Sequence, residues 1–168
     1  MKLSWLQGIS VNGLRAVFYN CRSNGSFRRQ TLSASANFIG FALECIDRIL
    51  GENGHRLPRL WVIGHPGKLA KILDNVYDTH SAQSRSAVGA VCRIADRYGI
   101  SGALRESMAR SRTVEGQIEI LKAEAFSPEF WTLVEQSIAA QISGLLRHVE
   151  LVSVRLFQMD GCGLGGLS

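Results

Sequence analysis

The chain has 168 residues, 46% hydrophobic and 20% charged, with a formal net charge of +5, enough for one domain with a buried core. No apolar run approaches the roughly 18 residues of a membrane-spanning helix. Residues 1–8 lack the sustained apolar region of a signal peptide, so the cytoplasm is the expected compartment.

Cys21, Cys45, Cys92 and Cys162 are scattered, with no CxxC and no Cys/His cluster. That argues against tetrahedral zinc and for free thiols. The positive excess sits in the first quarter: Lys2, Arg15, Arg22, Arg28 and Arg29 precede the first acidic residue, Glu44, after which the charges cancel. Such a stretch either attracts an acidic metabolite, an anionic partner or nucleic acid, or is simply a solvated face.

In chain order, residues 14–19 read as an apolar strand rich in β-formers. A polar loop follows over residues 20–26, then Arg28-Arg29. Apolar residues Phe38, Ala42, Ile46 and Ile49 recur at helical spacing over residues 34–50, and Gly51, Asn53 and Gly54 end that helix. The run Leu60-Trp61-Val62-Ile63 suits a parallel strand covered on both faces, which makes strand, helix, strand a βαβ unit. A helix of about a dozen residues opens at Pro66 or Gly67, where proline is favourable at the first helical position. Further helices are expected over residues 84–98, closed by Gly99, over 113–125, and over 127–148, opened by Ser127-Pro128-Glu129. A strand over 150–159 and a glycine-rich tail finish the chain. The expected fold is one α/β domain over residues 1–168, three-layered around a small, mostly parallel sheet with a Rossmann-like βαβ core. Residues 1–13 are expected to be either flexible or an extra edge element.

Ligands of open parallel sheets sit beyond the C-terminal strand ends, where Gly64-His65-Pro66-Gly67-Lys68 falls. Open N–H groups of the helix's first turn, with Lys68, would favour an anion. The alternative is a tight strand-to-helix turn with a solvated lysine. A dozen-residue helix is about 18 Å long, which would carry Thr79-His80-Ser81 toward the opposite end of the sheet unless the chain doubles back. His80 then reads either as a general base or polar ligand contact, or as a helix-end residue beside the cap Ser81. There is no Gly-x-Ser-x-Gly elbow, no His-Glu-x-x-His and no aromatic-basic RNA signature, so a nucleic-acid adaptor would rest on residues 1–43 alone.

Taken together, Gly64-His65-Pro66-Gly67-Lys68-x-x-Lys71 and Thr79-His80-Ser81 closely resemble the signature of the CbiD family, cobalt-precorrin-5B C-methyltransferases of anaerobic cobalamin synthesis. Ala36-Asn37-Phe38-Ile39-Gly40 resembles a segment opening the preceding helix in that family. Phe157-Gln158-Met159-Asp160 with Gly163-Leu164-Gly165 resembles its ending. The likeness is strong over residues 37–81, looser after, and covers only the family's C-terminal half. It implies S-adenosylmethionine-dependent methylation of an acidic cobalt corrinoid. It also implies a binding role for Asn37, Gly64, His65, Gly67, Lys68, Lys71, Thr79 and Ser81, a catalytic role for His80, and no resident metal. The N-terminal half, with its Gly-Tyr-Thr-Thr-Gly-type motif, is absent, so a separate N-terminal half or a homo-oligomer is an expected partner. Two stretches depart from the family pattern, Leu73-Asp74-Asn75 and Ala82-Gln83-Ser84-Arg85-Ser86. The alternative reading is a non-catalytic corrinoid- or partner-binding module diverged from that enzyme.

Overall fold

The computed structural model describes residues 14–21, 27–36, 38–78, 86–124 and 128–166. It is an α/β fold. The hairpin β1 (Leu14–Cys21) and β2 (Phe27–Ala36) leads into α1 (Ile39–Glu52) and β3 (Arg59–Gly64). A short helix α2 (Pro66–Leu69) continues as a 3-10 helix (Ala70–Asp74). Then come α3 (Val88–Tyr98), α4 (Gly102–Arg110), α5 (Val114–Ala123), α6 (Pro128–Ser143) and β4 (Val152–Leu156).

The sheet order is β2-β1-β3-β4. β1 runs antiparallel to both its neighbours, β2 and β3, and β3 with β4 is the one adjacent parallel pair among the described strands. The expectation of a mostly parallel sheet is therefore corrected. Residues 27–36 form a second strand rather than a basic loop and a helix start, so the helical crossover joins β2 to β3 with β1 between them, a split βαβ unit. Ala36, Leu14, Gly64 and Leu156 consequently lie along one edge: Leu14 faces Ala36, Arg15 faces Ile63, and Gly64 faces Leu156.

The three-layer Rossmann-like core does not appear among the described residues either. Leu60 and Val62 of β3 and Val152, Val154 and Leu156 of β4 are buried, alternating positions that share one face. One core cluster joins them to Ile39 and Leu43 of α1, Leu69, Ile72, Val91, Met108, Ile118 and Phe130, so every helix contributes to the same side. Arg59, Trp61, Ser153 and Arg155 occupy the other face, with both guanidiniums stacked on the Trp61 ring at 5.7 and 5.9 Å.

Most helix boundaries follow local signals. Gly99 ends α3 in the left-handed conformation at φ 90°, where glycine carries no Cβ penalty. Thr113 caps α5, its Oγ1 accepting from the Gly116 N–H at 3.1 Å. Helix α4 was not expected; of its nine residues only Met108 is buried, too few for an apolar period to show. No described helix is long and apolar enough to cross a membrane.

The C-terminal segment is latched onto α6. Glu135 is 4% exposed; its carboxylate accepts from the Leu156 N–H at 2.8 Å and from Arg155 Nη1 at 3.1 Å. Arg155 also donates to the Gly166 carbonyl at 2.7 Å, and the Gly166 N–H donates to Thr132 Oγ1 at 2.9 Å.

Candidate functional site

The stretch 64–68 stands where the sequence places it, at the C-terminal end of a central strand. His65 leaves β3 in an extended conformation (φ −79°, ψ 136°) and caps α2 with its own ring, Nδ1 accepting from the Gly67 N–H at 3.0 Å. The His65 carbonyl accepts from the N–H groups of Lys68 at 3.0 Å and Leu69 at 3.1 Å. Pro66 has no N–H. The expected open cradle of backbone donors is thus corrected: the first-turn donors are satisfied internally, and any anion here must be held by side chains.

The other ring nitrogen, Nε2, lies 2.6 Å from Glu115 Oε2 at the start of α5. Since Nδ1 accepts, the neutral ring carries its proton on Nε2 and donates it to Glu115, an assignment that follows from the hydrogen-bond network. His65 is thereby a clamp between the β3–α2 turn and α5. His65→Ala should cost about 0.5–2 kcal/mol through the lost cap. His65→Asn should keep most of that stability, because Asn is itself a strong cap, while losing the Glu115 contact. Thermal unfolding of the two variants checks this; an Asn variant as unstable as the Ala variant would refute the capping role.

These elements enclose a cleft of about 440 Å³ lined by His65, Lys68, Lys71, Arg112, Val114 and Met159, among others. That is within the range of small-molecule pockets. Lys71 is only 6% exposed. Burial lowers its pKa, the charge of Lys68 lowers it further, and Asp78 opposes both. Met159, 81% exposed, comes from the turn after β4. The cleft therefore combines three cations with apolar walls, a donor set for a carboxylate-bearing ligand with an apolar body.

Of the expected site residues, the structure brings His65, Gly67, Lys68 and Lys71 to this cleft, while Gly64 ends β3 and does not line it. Asn37, Thr79, His80 and Ser81 lie outside the described residues. The chain does double back before them. The helix ends at Asp74 and left-handed Asn75 (φ 59°) reverses it. Asp78 then bridges Phe38, and the Gly40 N–H donates to the Tyr77 carbonyl at 3.3 Å. A Cβ on Gly40 would lie 2.5 Å from Tyr77 Cβ, so this approach requires glycine. Asp78 thus lies at the edge where β2 ends, and the expectation of a helix reaching the opposite end is corrected. Arg112 and Glu115 were not singled out from the sequence, and Met159 only as part of the C-terminal motif. Glu115 stands fifty positions from His65, and its local signal is only that of an acidic first turn.

Residues 78–166, more than half of the chain, match the family described as CbiD, C-terminal domain. A Ralstonia nicotianae protein named cobalt-precorrin-5B C(1)-methyltransferase is 48% identical over 130 residues, covering 77% of this chain and 34% of that protein. Proteins of the same name from Chromobacterium violaceum and Moorella thermoacetica are 40% identical over 130 residues and 26% identical over 132, covering 77% and 78% of this chain and 34% of each relative. The chain thus spans about a third of the length of these relatives. No solved structure matches it. The match extends through the C-terminal segment where the motif likeness was looser, and the chain belongs to the CbiD C-terminal domain family.

Proposed function

We propose that the chain forms the C-terminal part of an S-adenosylmethionine-dependent C-methyltransferase acting on a cobalt corrinoid in cobalamin synthesis, in the cytoplasm. The observation that carries this reading is the convergence of the motif residues His65, Gly67, Lys68 and Lys71 on one cleft in a chain 48% identical to a protein of that name. The donor set fits: Lys68, Lys71 and Arg112 would hold carboxylates, which both the methyl donor and an acidic corrinoid carry. S-adenosylmethionine supplies an electrophilic methyl group, and its transfer needs chiefly in-line positioning of donor and acceptor. His65, fixed by Gly67 and Glu115, would keep the turn in the shape that presents the two lysines. His80 is the proposed catalytic residue, and Asn37, Thr79 and Ser81 are proposed binding residues.

The test restores the rest of the protein. This chain replaces the matching third of the Ralstonia nicotianae relative, and methyl transfer from labelled S-adenosylmethionine to cobalt-precorrin-5B is measured. The chimera should turn over and the isolated chain should not. The second reading, a non-catalytic binding module, draws on the departures from the family pattern. Asp74 pairs with Arg93 on α3 and Asn75 supplies the reversing cap, so that stretch has a structural use of its own. A folded chimera that binds the corrinoid without methylating it would establish that reading instead.

A further inference from the structure

Helix α1 has 14 residues, of which only Ile39 and Leu43 are buried. Phe41 is 70% exposed, Phe38 at its start 59%, and Leu145, from the turn after α6, 48%. Phe41 and Leu145 line a groove of about 820 Å³, together with Gly40, Leu43, Tyr77 and Leu146. The Tyr77 hydroxyl is buried with no hydrogen-bond partner among the described residues, which is uncommon for a buried phenol. Single exposed hydrophobics need no explanation. An exposed phenylalanine and leucine sharing one groove, with a second exposed phenylalanine at the start of the same helix and an orphaned tyrosine hydroxyl in the groove wall, do. Glu44, Asp47, Arg48 and Arg147 frame the same groove, giving the apolar centre and mixed-charge rim of a protein interface.

We propose that this groove is the docking face for the polypeptide that precedes this domain in its relatives. Those relatives are about three times as long as the matched segment, and the matching family is a C-terminal domain, so their remaining length lies on the N-terminal side. The backbone says where that length arrives. Leu14 opens β1 opposite Ala36, two residues before Phe38, so a chain leading into β1 reaches the sheet at the Phe38 end of α1. Phe38 in turn bridges Asp78, on the chain leaving the candidate cleft. A domain seated in the groove therefore borders the cleft, and the complete site is composite. The inference rests on family membership and not on the methyl-transfer reading.

The test co-expresses this chain with the N-terminal two-thirds of the Ralstonia nicotianae relative as a separate polypeptide, so that each can fold on the other. Co-purification and light scattering then measure a one-to-one complex. Phe41→Asp should weaken it at least tenfold while leaving this chain's melting temperature unchanged, because the side chain is mostly in solvent. Ile49→Asp is the control: Ile49 is 53% exposed on the same helix but does not line the groove, and the complex should survive. Absence of any complex, equal affinity for Phe41→Asp, or equal loss with Ile49→Asp would overturn the proposal. So would self-association of this chain alone that Phe41→Asp abolishes, which would identify the occupant as a second copy.

Discussion

Glu135→Ala is expected to destabilise the fold by about 3–5 kcal/mol, the usual cost of removing one member of a buried ion pair. For a domain of this size that lowers the melting temperature by about 6–20 °C. The Arg155 guanidinium would lose its anion, and the Leu156 N–H, at the free edge of β4, would lose its acceptor. Burial raises the Glu135 pKa, opposed by the Leu156 N–H and by Arg155. The fixed Leu156 N–H and Arg155 guanidinium thus offset part of the cost of burying this carboxylate.

Gly165 makes the same network testable from the other side. A Cβ there would collide with the Glu135 carboxylate, which cannot swing away without breaking both of its bonds. Gly165→Ala should cost about 1–3 kcal/mol, as overpacking does, and less in the Glu135→Ala background. Denaturant unfolding of the two single variants and the double variant measures that coupling. Additive losses would show that the Leu164-Gly165 ending is held by something other than this carboxylate.

That ending was visible in the sequence as a motif, but its reason was not, because Glu135 lies thirty positions upstream in an unremarkable helix. The same division runs through the molecule. Signals acting within a few residues were legible: the Pro128-Glu129 start of α6, the left-handed Gly99, and the apolar run of β3. Signals that depend on pairing were not. Residues 27–36 open on Arg28, Arg29 and Gln30, and their alternation (Leu32, Ala34, Ala36) rests mainly on small alanines and serines, a weak strand signal, and so β2 was missed. With it went the direction of β1, because a helix leaving β1 implies a parallel neighbour and a hairpin implies an antiparallel one. The apolar run at β3 looked two-sided because Trp61 is hydrophobic, yet in the fold it lies on the face opposite Leu60 and Val62, between two arginines. At the candidate site, residues 64–71 were legible as a unit. The use of His65 as its own helix cap was not: its ring takes the Gly67 N–H and its carbonyl the N–H groups of Lys68 and Leu69, the donors that the glycine-proline-lysine pattern seemed to offer.

With those donors satisfied, anion binding in the proposed site would fall chiefly to Lys71, the most buried of the cleft's cations. Burial and the neighbouring Lys68 charge hold its pKa below the ordinary lysine value. The sign follows directly. A lysine whose pKa is lower folded than unfolded costs stability while it is charged, and the fold regains that stability as pH rises through the lowered value toward 10.5. Lys71→Met, close in volume and without charge, should therefore leave stability at neutral pH equal or higher. The same substitution in the chimera should weaken binding of a carboxylate-bearing cobalt corrinoid or of S-adenosylmethionine by about 1.5–3 kcal/mol, the scale of a charged hydrogen bond, or roughly 10–150-fold in Kd. Wild-type affinity should also fall as pH rises through the Lys71 pKa, because the ammonium that meets the carboxylate disappears, and the Met variant should lack that pH dependence. Calorimetric titration across pH, paired with thermal unfolding of both proteins, separates these effects. A Met variant that binds as tightly as wild type but melts several degrees lower would mean that Lys71 holds the fold rather than the ligand, and the cleft would lose its principal cation.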